Sequence, residues 1–141
     1  MSTRGAYGFK SNGDVKIIFS FNDSHFHSLG QSIVDFIKTI NCNQLKKQLK
    51  TLAPIIKDKD SKFNDYEHWQ NPALVLKNIY TGVYKVYFDA GKFIDNHLFC
   101  QYFYLVDLDA KKFNIYVAGD RFLLRSYDLE SIPDNWQQEC S

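Results

Sequence analysis

The chain has 141 residues, 45% of them apolar and 16% aromatic, with Lys+Arg 17 against Asp+Glu 16. That length supports one domain, residues 1–141, whose core needs no covalent staples. The near-neutral charge excludes nucleic acid as an obligate partner, because phosphate binding needs a basic surplus or a basic face.

Three separated cysteines, Cys42, Cys100 and Cys140, give neither a disulfide framework nor zinc-ligand spacing. Cys100 sits in an apolar run and reads as a buried small hydrophobe. No apolar stretch reaches the ~20 residues of a membrane span, and the N-terminus lacks the apolar core of a secretory leader. A cytoplasmic protein without a membrane partner is expected.

In chain order, residues 3–22 read as a β-hairpin. Asn12-Gly13 is a strong turn signal, since both central residues of its turn type need positive φ. Beyond it Val15, Ile17, Phe19 and Phe21 alternate with polar residues, the period of a strand with one buried face. Gly5, Ala6 and Gly8 keep the first strand thin, so another element is expected to approach it closely. Ser28 and Gln31 form a capping box, followed by a helical stripe of Leu29, Ile33, Phe36, Ile37 and Ile40. Asn43 is the expected cap of a second helix carrying Leu45, Leu49 and Leu52, stopped by Pro54.

The lysines from Lys46, Lys47 and Lys50 to Lys57, Lys59 and Lys62 are diluted by Asp58 and Asp60, and read as a solvated face and loop. Residues 57–71 are polar and irregular. Asn71-Pro72 opens a third helix that Gly82 closes. Strands then follow at Val83–Phe88, at Leu98–Val106 as a central strand apolar on both faces, at Phe113–Val117 after an Asp107–Lys111 turn, and at Phe122–Tyr127 before a polar tail. Strands grouped apart from helices predict an α+β fold with a mainly antiparallel sheet and helices packed on it.

The hairpin register brings chemistry together. Counting outward from the turn, Arg4 faces Phe21, Thr3 faces Asn22 and Ser2 faces Asp23, so Ser2, Arg4 and Asp23 are expected on one side at the open end. Removal of Met1 would give Ser2 both a hydroxyl and a free amine able to deprotonate it. Arg4 would hold a carboxylate or oxyanion and Asp23 would orient the amine. The opening Met1-Ser2-Thr3-Arg4 thereby resembles the start of N-terminal nucleophile hydrolases of the penicillin acylase and bile-acid amidase branch, which use Cys at that position. Arg4, Asp23 and Ser24 serve equally as a small polar-ligand site. Asp23, His25 and His27 alternate as metal ligands would, but read as solvated loop residues. Asp107 and Asp109 read as turn formers. No metal site and no cofactor are expected, and the chemistry leans away from an enzyme.

Two segments carry a second resemblance. Thr3-Arg4-Gly5-x-x-Gly8-Phe9 with Asp23-Ser24 and Leu29-Gly30, and the stretch from Phe93 to Asp109, resemble small phage and bacterial proteins. These open Met-x-Thr-Arg-Gly and later carry Phe-Leu-x-Asp-Ser-Leu-Phe-Cys-Glu. This chain departs from them at Phe19-Ser20-Phe21, where the family has Tyr-Asn-His, and at Gln101, where it has Glu. The family carries no assigned activity. The resemblance implies a phage-type accessory protein that binds a host protein, such as a defence component, without catalysis. The oligomeric state is left open.

Overall fold

The computed structural model describes residues 3–21, 23–55 and 69–141. Seven strands and four α-helices are assigned there, consistent with the α+β expectation. Five strands form the main sheet: β1 (Gly5–Ser11), β2 (Asp14–Ser20), β5 (Tyr102–Asp107), β6 (Lys112–Val117) and β7 (Phe122–Asp128), in the order β2-β1-β5-β6-β7. The β1–β5 pair is parallel, and the other pairs are antiparallel. Short β3 (Ala53–Ile55) and β4 (Val86–Phe88) pair in parallel beside it.

The first hairpin has the register its turn predicts. Ser11 faces Asp14, and the ladder runs out to Gly5 facing Ser20. Asn12 and Gly13 take φ of 53° and 76°, the left-handed pair that closes a two-residue hairpin.

A helical layer covers one face. The chain enters it through a π-helical turn (Phe26–Gly30) that runs into α1 (Gln31–Thr39). The Ser28–Gln31 capping box does not form. Gln31 Oε1 instead accepts from Trp136 Nε1 at 3.0 Å and Gln137 Nε2 at 2.6 Å, so a tertiary contact outcompetes the local cap. The cap of α2 (Cys42–Leu49) is Asn41 rather than Asn43, and its side chain accepts from the Asn43 and Gln44 amides. Asn71 caps α3 (Pro72–Tyr80) through the Leu74 amide, and Gly82 ends it with φ of 80°.

The tail is not merely polar: Trp136–Cys140 form α4. Trp136 is 1% exposed, with its ring edge-on to Phe26 and Phe113. Truncating such a residue costs about 3–5 kcal/mol.

The helix-side core joins Tyr7, Phe9, Tyr104, Val106 and Phe113 to Leu29, Ile33, Leu45 and Leu76. The opposite face is covered by the segment carrying Ala90, Ile94 and Cys100, packed on Ala6, Ile17, Phe103 and Leu105. Cys100 is fully buried there, as its apolar surroundings predict. Two expected strands are shorter than the apolar pattern implies. β4 omits Val83, which is 67% exposed. The central strand starts at Tyr102 because the amides of Phe99 and Cys100 turn back onto the Asn96 carbonyl.

Candidate functional site

The open end of the first hairpin is built by a crossing of the chain over β1. A continued ladder would set Thr3 against Asn22, which lies outside the described residues. Instead the Thr3 carbonyl accepts from both the amide and the hydroxyl of Ser24, each at 2.9 Å. The Ser24 carbonyl in turn accepts from Tyr104 Oη at 2.6 Å. This crossing needs glycine below it, because a Cβ on Gly5 would lie 2.5 Å from Ser24 Cβ and 2.4 Å from the Tyr102 carbonyl oxygen. The close approach expected of the thin first strand is therefore present.

Asp23 fixes the same turn. Its Oδ1 accepts from the Thr3 amide at 3.1 Å and the His25 amide at 3.3 Å. Partial burial alone would raise the Asp23 pKa. The amides of Thr3 and His25 and the nearby His27 outweigh it and hold the carboxyl below its ordinary value.

Asp23 Oδ2 lies 3.7 Å from His27 Nε2. The other ring nitrogen, His27 Nδ1, is 2.8 Å from His25 Nδ1, so one imidazole donates and the other accepts. The His25 ring packs on Phe26 and edge-on to Tyr102, with centroids 4.9 Å and 5.8 Å away.

Arg4 serves a different neighbour. Its guanidinium carbon stands 5.7 Å from the Phe99 ring centroid. The loop bearing Phe99 is tied to the β6–β7 turn by Gly119 N to the Cys100 carbonyl and Ala118 N to the Gln101 carbonyl. His97 Nε2 approaches Asp120 at 4.0 Å. At the start of β7, Arg121 lies 5.3 Å over the Phe122 ring. A cleft of about 390 Å³ opens along this rim, lined by Thr3, His97, Gln101, Tyr102, Val117 and Ala118. At the same end of the sheet, Leu98 and Phe99 in the loop before Gln101 are 85% and 52% exposed, and Phe122, which pairs with Val117, and Leu123 are each 55% exposed.

Of the residues singled out from sequence, Ser2 lies outside the described residues. Arg4 is exposed and rests on Phe99 rather than joining Asp23. Asp23 acts as an acceptor for backbone amides. Ser24 is fully buried with its hydroxyl engaged, so it shapes the site without facing a ligand.

Asp107 forms its turn by accepting from the Ala110 amide at 2.9 Å. Asp109 does more than expected, gripping the Asn12 and Gly13 amides at 2.7 and 2.9 Å. Lys46 and Lys47 lie in the last turn of α2 and Lys50 is its C-cap, while Lys57, Lys59 and Lys62 lie outside the described residues. Among the described residues no group of three or more His, Cys, Asp or Glu side chains is arranged to hold a metal ion.

Burial raises the thiol of Cys100 to about 11, and that of Cys140 also rises; neither is poised as a thiolate nucleophile. Sequence reasoning missed Phe99, His97 and Tyr104. Phe99 sits in an apolar run that reads as strand, His97 immediately precedes that run, and the role of Tyr104 depends on Ser24, eighty positions earlier. No helix among the described residues is long and apolar enough to cross a membrane. No family model, curated protein or solved structure matches the chain.

Proposed function

We propose that this protein is a non-catalytic binding module that acts by stoichiometric contact with a host protein. The observation that carries this reading is the exposed rim at the open end of the hairpin. There Leu98, Phe99, Phe122 and Leu123 stand open beside two arginines, each stacked on a phenylalanine. Aromatic residues and arginine are the side chains that most often dominate binding energy at interfaces, and clustered exposed apolar residues mark contact surfaces. The resemblance of the 3–30 and 93–109 segments to phage-type accessory proteins supports a host protein, including a defence component, as the partner.

Affinity capture from host lysate tests it. A single partner should be retained at one-to-one stoichiometry by the intact chain and lost from Phe99→Asp and Leu98→Asp, both with unchanged melting temperature. Retention by both variants would overturn the assignment of this surface. The same material, offered simple amide substrates alongside Ser2→Ala, separates binding from Ser2-dependent hydrolysis, which this reading expects to be absent.

A second reading, capture of a small polar ligand, is favoured by the 390 Å³ cleft between Thr3 and His97. It predicts that Gln101→Ala, which removes an exposed polar side chain lining the cleft, abolishes ligand binding with little change in stability.

A further inference from the structure

The turn between β2 and α1 places two imidazole nitrogens at one point. His25 Nδ1 and His27 Nδ1 are 2.8 Å apart. Neither ring hangs free. His25 is held by contacts with Phe26 and Tyr102. His27 presents its far nitrogen to the Asp23 carboxylate, which is itself fixed by the Thr3 and His25 amides. A carboxylate 3.7 Å from one imidazole nitrogen favours the proton on that side and the lone pair on the other nitrogen, which here faces His25 Nδ1, the bias that supports histidines bound to metals. His27 is 67% exposed, so water has access to complete a coordination shell.

We propose that His25 and His27 form a two-imidazole site for a divalent late transition-metal ion, with Nδ1 of each as ligand and Asp23 as the positioning residue behind His27. The geometry narrows the ion. Two nitrogens 2.8 Å apart, each ~2.1 Å from one ion, subtend an angle close to a right angle. That is a cis pair of a square-planar or octahedral shell, not the wider angle of a tetrahedral one. Copper(II) and nickel(II) accept that pair with nitrogen ligands, whereas magnesium and calcium prefer oxygen cages. Binding breaks the hydrogen bond between the rings: the donating imidazole moves its proton from Nδ1 to Nε2 by exchange with water, both Nδ1 lone pairs then face the ion, and solvent fills its remaining positions.

Isothermal titration of the untagged chain with nickel(II) tests the site, with the visible absorption of the complex as a second readout of nitrogen ligation. Saturable one-to-one binding is expected. His27→Ala and His25→Ala should each weaken it at least tenfold, and Asp23→Asn by about tenfold. His97→Ala should leave it unchanged, and neither magnesium nor calcium should bind. His27 is exposed, so its replacement should leave the melting temperature in place and keep the result interpretable if His25→Ala or Asp23→Asn disturbs the turn. Absence of saturable nickel binding, or binding that survives His27→Ala, would overturn the proposal. So would binding that follows His97 instead.

Discussion

The two ends of the first hairpin are closed by the same chemical device and differ in what is left over. At the turn, Asp109 reaches across from the β5–β6 loop and accepts from the Asn12 and Gly13 amides. At the open end, Asp23 accepts from the Thr3 and His25 amides. In each case a carboxylate satisfies two backbone donors that the ladder cannot. At the turn end that completes a local structure. The open end also holds a histidine pair, a buried tyrosine reaching the Ser24 carbonyl, and a rim of exposed aromatic and aliphatic side chains. Clustered exposed apolar side chains are the kind of feature that marks contact surfaces, and the proposed contact lies at this end for that reason.

The sharpest break between the ends is steric. Gly5→Ala forces a methyl against the Tyr102 carbonyl and Ser24, and should cost about 3 kcal/mol in urea unfolding. At the turn, Gly13→Ala meets nothing within 4 Å among the described residues. Only its positive φ opposes the change, and about 1 kcal/mol is expected.

A second contrast comes from a pair of tyrosines that are partners in the β1–β5 register, Tyr7 and Tyr104. Tyr104→Phe strips the Ser24 carbonyl of its donor and should cost about 2 kcal/mol. The buried Tyr7 hydroxyl has no hydrogen-bond partner among the described residues. Tyr7→Phe should therefore leave stability unchanged or raise it by up to ~1 kcal/mol. Equal losses for the two variants would mean that the crossing at Ser24 contributes nothing.

The smallest effect is acidic. Hydrogen bonds to the Gly13 and Asn12 amides hold the Asp109 carboxyl below its ordinary value, as amides and His27 do for Asp23 against its partial burial. A depressed folded pKa means the stabilisation is fully present above the unfolded value near ~3.9 and is lost as pH falls through the folded one. Thermal unfolding between about pH 5 and pH 2 should therefore show a shallower acid limb for Asp109→Asn and Asp23→Asn than for the unaltered chain.

The hairpin register and the start of α3 were legible because they rest on adjacent residues: Asn12-Gly13 fixes two positive φ angles, and Asn71-Pro72 supplies a cap and a preset backbone. What escaped was set by partners remote in sequence. Nothing near Gly5 announces its parallel neighbour Tyr102. Gln31 is drawn from its local cap by Trp136, and the short helix bearing Trp136 is held by that packing more than by its own propensity.

The apolar run from Leu98 reads as strand throughout, yet a turn on the Asn96 carbonyl exposes its first two residues. At the open end, alternation sets Arg4 and Asp23 on one side, whereas the structure gives them different partners. The ladder ends where Ser24 takes the Thr3 carbonyl, so Asp23 turns to backbone amides and Arg4 to Phe99.

The most direct test of the central claim is native mass spectrometry of the purified chain after exposure to host lysate, run in parallel with Phe99→Asp. A one-to-one adduct with a single host protein, present for the unaltered chain and absent for the equally stable variant, is the predicted result. No adduct, or the same adduct on both proteins, would contradict the assignment of the exposed rim as the binding surface.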